Sequence, residues 1–109
     1  SDDIARNPNT SVNILEILAD DIDIDVREDV AKNPNSSQEI LEKLAEDKDY
    51  RVIIQVAKNP ITPVEILETL AKNENDWVRE AVATNVNTSE KILEKLLNDE
   101  LLNDGYEYR

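Results

Sequence analysis

The chain contains no cysteine, histidine, phenylalanine or methionine, and only one glycine and one tryptophan in 109 residues. Without cysteine there is no disulfide framework, no thiolate metal site and no cysteine nucleophile. Without histidine there is no imidazole base. A single glycine leaves no glycine-rich cradle for a phosphate. Acids are plentiful, but none forms a pair set apart from its neighbours. General acid–base chemistry needs a carboxylate in an environment that tunes its pKa. The expectation is a protein that is not an enzyme and carries no cofactor or metal.

Basic residues are also scarce. Twelve Lys and Arg face 25 Asp and Glu, for a formal net charge of −13. Phosphate backbones are bound through clustered Lys and Arg, so neither nucleic acid nor an anionic membrane is an expected partner. Another protein, of basic character, is. The same charge also serves to keep an extended surface soluble. No apolar run approaches the roughly 20 residues of a membrane-crossing helix. No secretory signal is visible, and a cytoplasmic location is expected. The first residue is Ser1 rather than Met, as in a processed or trimmed terminus.

What the chain does have is a period of 26 residues. Asn7, Asn33, Asn59 and Asn85 mark it, as do Ala5, Ala31, Ala57 and Ala83. Ile14-Leu15, Ile40-Leu41, Ile66-Leu67 and Ile92-Leu93 keep the same register. A fixed period of this size signals stacked repeats. The copies run approximately over 1–23, 24–49, 50–75 and 76–103 of a single 1–109 domain, with a C-terminal cap over 98–109.

Each copy reads as two helices. The longer is expected to open at Thr10, Ser36, Thr62 and Thr88, with these residues as N-caps. Glu39 and Glu65 stand three residues on, as in a capping box, and Pro63 suits a first helical position. Ile40, Leu41, Leu44 and Ala45 then fall on one helical face. The shorter helix is expected to be capped by Asp23, Asp49 and Asn75. Val26, Val30 and Ala31 mark its inner face, and Asn33-Pro34 ends it, because proline cannot continue a helix and restricts the residue before it. Val86 replaces that proline in the last copy, so its turn is expected to differ. Leu101 and Leu102 replace loop residues, which predicts a last helix running past Asn98 and closing near Gly105.

Two such helices bury too little to offset their own ordering entropy. Neighbouring copies must cover each other's flanks. The expected fold is therefore all-α: a right-handed α-solenoid of four 26-residue two-helix repeats.

Val26-Arg27, Val30-Ala31, Asn33-Pro34, Ile40-Leu41 and Leu44-Ala45 resemble the signature of the leucine-rich repeat variant family, and Val78-Arg79 to Leu96 carry the resemblance again. It spans residues 4–99. What it implies is a right-handed solenoid in which an α-helix alternates with a shorter helix, often 3₁₀, and no general activity. Some family members carry an iron–sulfur cluster on a cysteine-rich segment, which this chain lacks. The related HEAT-like helical repeats, mostly protein-binding scaffolds, share the pattern.

Several residues invite a functional reading. Asp21, Asp23 and Asp25 begin like a calcium loop, but Val26 sits where the loop needs glycine and Lys32 where it needs glutamate. Asp or Asn recurs at 47, 49, 73 and 75, so caps and turns explain them. Asn9, Asn35 and Asn87 match glycosylation acceptors, and the turn and cap explain those as well. The asparagine column is expected to satisfy backbone groups in its turn. Arg27 and Arg79 are expected to lay their stems on the core and reach an acid.

Two surfaces remain as candidates. Glu16, Glu42, Glu68 and Glu94 recur as an acidic ridge, suited to a basic partner or simply to solvent. Tyr50, Ile53, Ile54 and Trp77 break the repeat. Ile54 stands in the place of Glu28 and Glu80, and Trp77 in the place of Asp25 and Arg51. Stacking would gather these four into an apolar patch with an aromatic, a mark of contact surfaces. The expected function is a protein–protein interaction scaffold. The alternative is a structural spacer or capping array within a longer protein, or an engineered stack. Self-association through Ile54 and Trp77 is a further use of the same patch.

Overall fold

A computed structural model describes residues 2–103, the last three by their backbone only. The described residues form eight α-helices and no strand. They are α1 (Asp2–Arg6), α2 (Val12–Leu18), α3 (Ile24–Lys32), α4 (Gln38–Leu44), α5 (Tyr50–Lys58), α6 (Val64–Leu70), α7 (Asp76–Thr84) and α8 (Glu90–Asn103). The odd-numbered helices pack in succession, α1 on α3, α3 on α5 and α5 on α7. Each even-numbered helix from α2 to α6 leans on the odd-numbered helix that follows it, and α4, α6 and α8 also lean on the one before. The molecule measures 51 × 23 × 17 Å.

The caps explain where helices start. Asp23, Asp49 and Asn75 accept bonds from the amides of Asp25, Arg51 and Trp77, so α3, α5 and α7 begin where expected. The other caps lie one residue later than expected. Ser11 and Ser37, not Thr10 and Ser36, accept from the amides three residues on, Ile14 and Ile40. Pro63 occupies the N-cap of α6, with extended backbone, rather than its first turn. The capping boxes at Glu39 and Glu65 lose their register with this shift.

Thr10, Ser36, Thr62 and Thr88 do something else. Each hydroxyl donates backward to the carbonyl six residues before it, on Ile4, Val30, Val56 and Val82, at 2.5–2.7 Å. These hydroxyls tie the end of an odd-numbered helix to the start of the next even-numbered one.

The lengths also correct the expectation. The helix taken as shorter spans nine residues in α3, α5 and α7, and is α rather than 3₁₀. The one taken as longer spans seven in α2, α4 and α6. In α4, Ala45 is the C-cap, and Asp49 N donates to the Asp47 side chain in the Asx-type turn that follows. Only α8 runs on, through Asn103, past Asn98 as expected. Its expected closure at Gly105 lies outside the described residues.

Val86 changes nothing in its turn. Asn85 keeps an extended backbone (φ −77°, ψ 135°), and Thr88 N donates to Asn85 O as in the proline-bearing copies. The asparagine, not the proline, holds the turn.

Burial follows the period. Leu44 and Leu70 are 1% and 2% exposed, and Val52 and Val78 are both fully buried. One apolar cluster runs from Ala5 to Ile92.

Candidate functional site

The asparagine column reaches further than its own turn. The side-chain oxygen of Asn33 accepts from Asn35 N within the turn. Its amide then crosses to the preceding copy and donates to Ala5 O at 2.7 Å and Asn7 O at 3.0 Å. Asn59 does the same to Ala31 and Asn33, and Asn85 to Ala57 and Asn59. These carbonyls belong to helix C-termini, which lack intrahelical donors. Each asparagine therefore closes its own turn and its neighbour's helix end.

Arg27 joins copies from another side. Its guanidinium donates to Asp47 at 2.8 and 3.3 Å and to the Asp21 and Ile22 carbonyls. The Asp47 bond holds the Arg27 pKa above its ordinary value. Arg79 repeats the carbonyl contact, to Asn73 O at 2.6 Å, and pairs with Asp76. Asp21 and Asp23 spend their carboxylates on the amides of Asp23 and Asp25, as turn and cap. The amides of Asn35 and Asn87 are likewise engaged, with Thr10 O and Thr62 O. A glycan there would have to break those bonds.

The aromatic patch assembles in part. Tyr50 and Trp77 open α5 and α7, and their rings sit 5.7 Å apart at a tilt of 39°. Trp77 is 60% exposed and Tyr50 40%. Beside them is a cleft of about 380 Å³ lined by Ile54, Lys58, Trp77, Glu80, Ala81 and Thr84. Ile54 is half-buried, with one side on the core.

Ile53 does not belong to this surface. It is 8% exposed and sits in the core. Its place in the repeat is that of Arg27 and Arg79, whose stems cover the same region; without a guanidinium to reach solvent, the isoleucine closes inward. Lys58, Glu80, Ala81 and Thr84 line the cleft without having been among the candidates. The signal was helical spacing, since Lys58 lies one turn beyond Ile54, and Glu80 and Thr84 one and two turns beyond Trp77.

Glu16, Glu42, Glu68 and Glu94 are all exposed, on α2, α4, α6 and α8. None forms an ion pair among the described residues. The lysines beside Glu42 and Glu94 are spent elsewhere, Lys43 on Asp20 and Lys95 on Asp99. The ridge and the aromatic cleft lie on different helix layers.

No family model, curated protein or solved structure matches this chain. No helix among the described residues is long and apolar enough to cross a membrane.

Proposed function

We propose that the chain is a protein–protein interaction scaffold, a right-handed α-solenoid of four two-helix units akin to leucine-rich repeat variant and HEAT-like proteins. The observation that carries the docking role is Trp77, which is 60% exposed and held against Tyr50 at the edge of the Ile54 cleft. An exposed indole on a helical frame retains apolar area for a partner. Tryptophan and tyrosine are over-represented among the residues that dominate interface energies. The partner in this reading is a protein segment with an apolar anchor for the cleft and basic flanks for Glu80 and the acidic surface. It involves no catalysis, nucleic acid or membrane, and a cytoplasmic setting.

Trp77 is the chain's only tryptophan, so its fluorescence reports on this surface directly. Affinity capture from the native source with wild-type protein should recover a partner that blue-shifts the emission. Changing Trp77 and Ile54 to Glu should abolish capture and leave helical circular dichroism unchanged. Undiminished capture by that variant would remove the cleft from consideration.

A second reading, a structural array, is favoured by the Asn33, Asn59 and Asn85 ladder. Those bonds join one copy to the next and use the amides of all three asparagines.

A further inference from the structure

Glu80 stands on a ridge between two clefts. On one flank of α7, Trp77 and Ala81 line the aromatic cleft together with Ile54 and Lys58 of α5. On the other flank, Asp76 and Arg79 line a second cleft, of about 250 Å³, together with Asp99 and Glu100 of α8. Glu80 lines both. One helix separates the clefts, so their centres lie about 10 Å apart, the width of a helix with its side chains.

The two differ in charge. The first has an apolar floor of Ile54 and Ala81, an aromatic wall and one cation, Lys58. The second sets the carboxylates of Asp76, Glu80, Asp99 and Glu100 against one cation, Arg79. Arg79 is already engaged by Asp76 and by the Asn73 carbonyl, and Asp99 takes Lys95. Glu80 and Glu100 form no ion pair among the described residues. A ligand crossing α7 therefore meets an aromatic site and then an anionic one.

The aromatic site also holds unspent donors. Trp77 hydrogen-bonds through its backbone amide, to Asn75, and neither its indole N–H nor the Tyr50 hydroxyl has a partner among the described residues. Such donors suit a ligand whose carbonyls are not already used. A helical segment keeps its carbonyls in its own bonds. A β-strand repeats its face at about 7 Å, short of the distance between the clefts. A polyproline II segment has no internal hydrogen bonds, and its face recurs every three residues, about 9 Å along its axis.

We propose that the occupant of this surface is a proline-rich segment of another protein in the polyproline II conformation, with a proline against Trp77 and Ile54 and an arginine three residues away in the acidic cleft. This rests on the reading of the Trp77 surface as a docking site. Aromatic-lined grooves are a recurring seat for such segments, whose preformed conformation loses little entropy on binding. Charge sets the order of the anchors. Lys58 disfavours a cation in the aromatic cleft, and Glu80 with its neighbours favours one across the ridge.

Trp77 is the chain's only tryptophan, so its emission reports binding directly. The probe is a blocked oligoproline with one arginine at its centre, titrated into the whole chain up to the order of 1 mM, where even weak binding registers. A saturable blue shift is expected. The same peptide with glutamate for arginine should bind about tenfold or more weakly, since one exposed ion pair is replaced by a like-charge contact. An alanine-rich helical peptide carrying the same arginine should give no shift. Ile54→Glu should abolish the shift and Ile54→Ala weaken it, with circular dichroism to check that each variant folds. Glu80→Gln should narrow the gap between the arginine and glutamate peptides and leave binding of a plain oligoproline unchanged, a pattern that a general loss of structure would not give. No shift with the arginine peptide, equal binding of the glutamate peptide, or tighter binding of the helical one would overturn the proposal. The docking reading fails separately, if the variant with Trp77 and Ile54 changed to Glu still captures its partner from the native source.

Discussion

Asn59 reaches back 28 residues to donate to Ala31 O at 2.8 Å, from a side chain 2% exposed. It also donates to Asn33 O and accepts from Ile61 N. Removing it strands two carbonyls and an amide in the interior. At about 1 kcal/mol for each bond, Asn59→Ala should cost roughly 3 kcal/mol in a urea melt. Asn59→Asp should cost at least as much, because a carboxylate cannot donate to a carbonyl. Asn7→Ala, at the exposed head of the column, should be nearly neutral. Equal losses at positions 7 and 59 would refute the ladder's role.

Arg27 and Asp47 form a joint that the third copy makes differently. The equivalent residues there are Ile53 and Asn73, an apolar residue and a neutral one. Arg27→Ala leaves Asp47, whose side chain is 9% exposed, without its partner, and should cost about 2 kcal/mol or more. The double change Arg27→Ile with Asp47→Asn copies the third copy's solution and should recover most of that loss. Chemical denaturation of the three variants measures it. No recovery would mean that the two joints are not interchangeable.

Asp29 is an acid poorly suited to its surroundings. Its pKa is raised, first by burial and then by the neighbouring Asp2 and Asp25, against the opposing effects of Lys32 and Arg6. A carboxyl with a raised folded-state pKa destabilises when ionised. The penalty is absent below its unfolded value of about 3.9 and grows as pH rises through the folded value. Asp29→Asn should therefore stabilise the protein at pH 7, with the advantage vanishing below about pH 4. Gln55 and Ala81 hold the equivalent place in later copies, already uncharged. An advantage that persists in acid would show that charge is not its source.

Asp49 behaves in the opposite sense. Side-chain and backbone bonds from Arg51 hold its carboxyl down at about 2. A depressed folded-state pKa contributes stability that is present above about pH 4 and lost as pH falls towards 2. The same carboxylate caps α5, a contribution of about 1 kcal/mol. Asp49→Ala should lose that at pH 7 and converge with wild type near pH 2. Thermal melts across this range test it.

Much of this was readable along the chain. The caps at Asp23, Asp49 and Asn75, the stop at Asn33 and the buried face of Leu41 and Leu44 depend on residues within a few positions of each other. Local steric and hydrogen-bond rules suffice there. The misplaced caps at Thr10 and Ser36 show the limit of those rules. Two adjacent hydroxyl residues offer two caps, and the bond from Ser36 to Val30 O decides between them. In the aromatic cleft, Trp77, Tyr50 and Ile54 were legible as breaks in the repeat. The burial of Ile53 was not, because Ile53 and Ile54 are the same residue type side by side and differ only in what lies against them.

The amino-acid order alone determined the 26-residue period, the helical character and the absence of the residues most chemistry requires. Tertiary packing decided which neighbour each asparagine serves and which isoleucine meets solvent. The reason is distance along the chain. A contact across 26 or 28 residues exists only once one copy lies on the next, and no property of either residue specifies it beforehand.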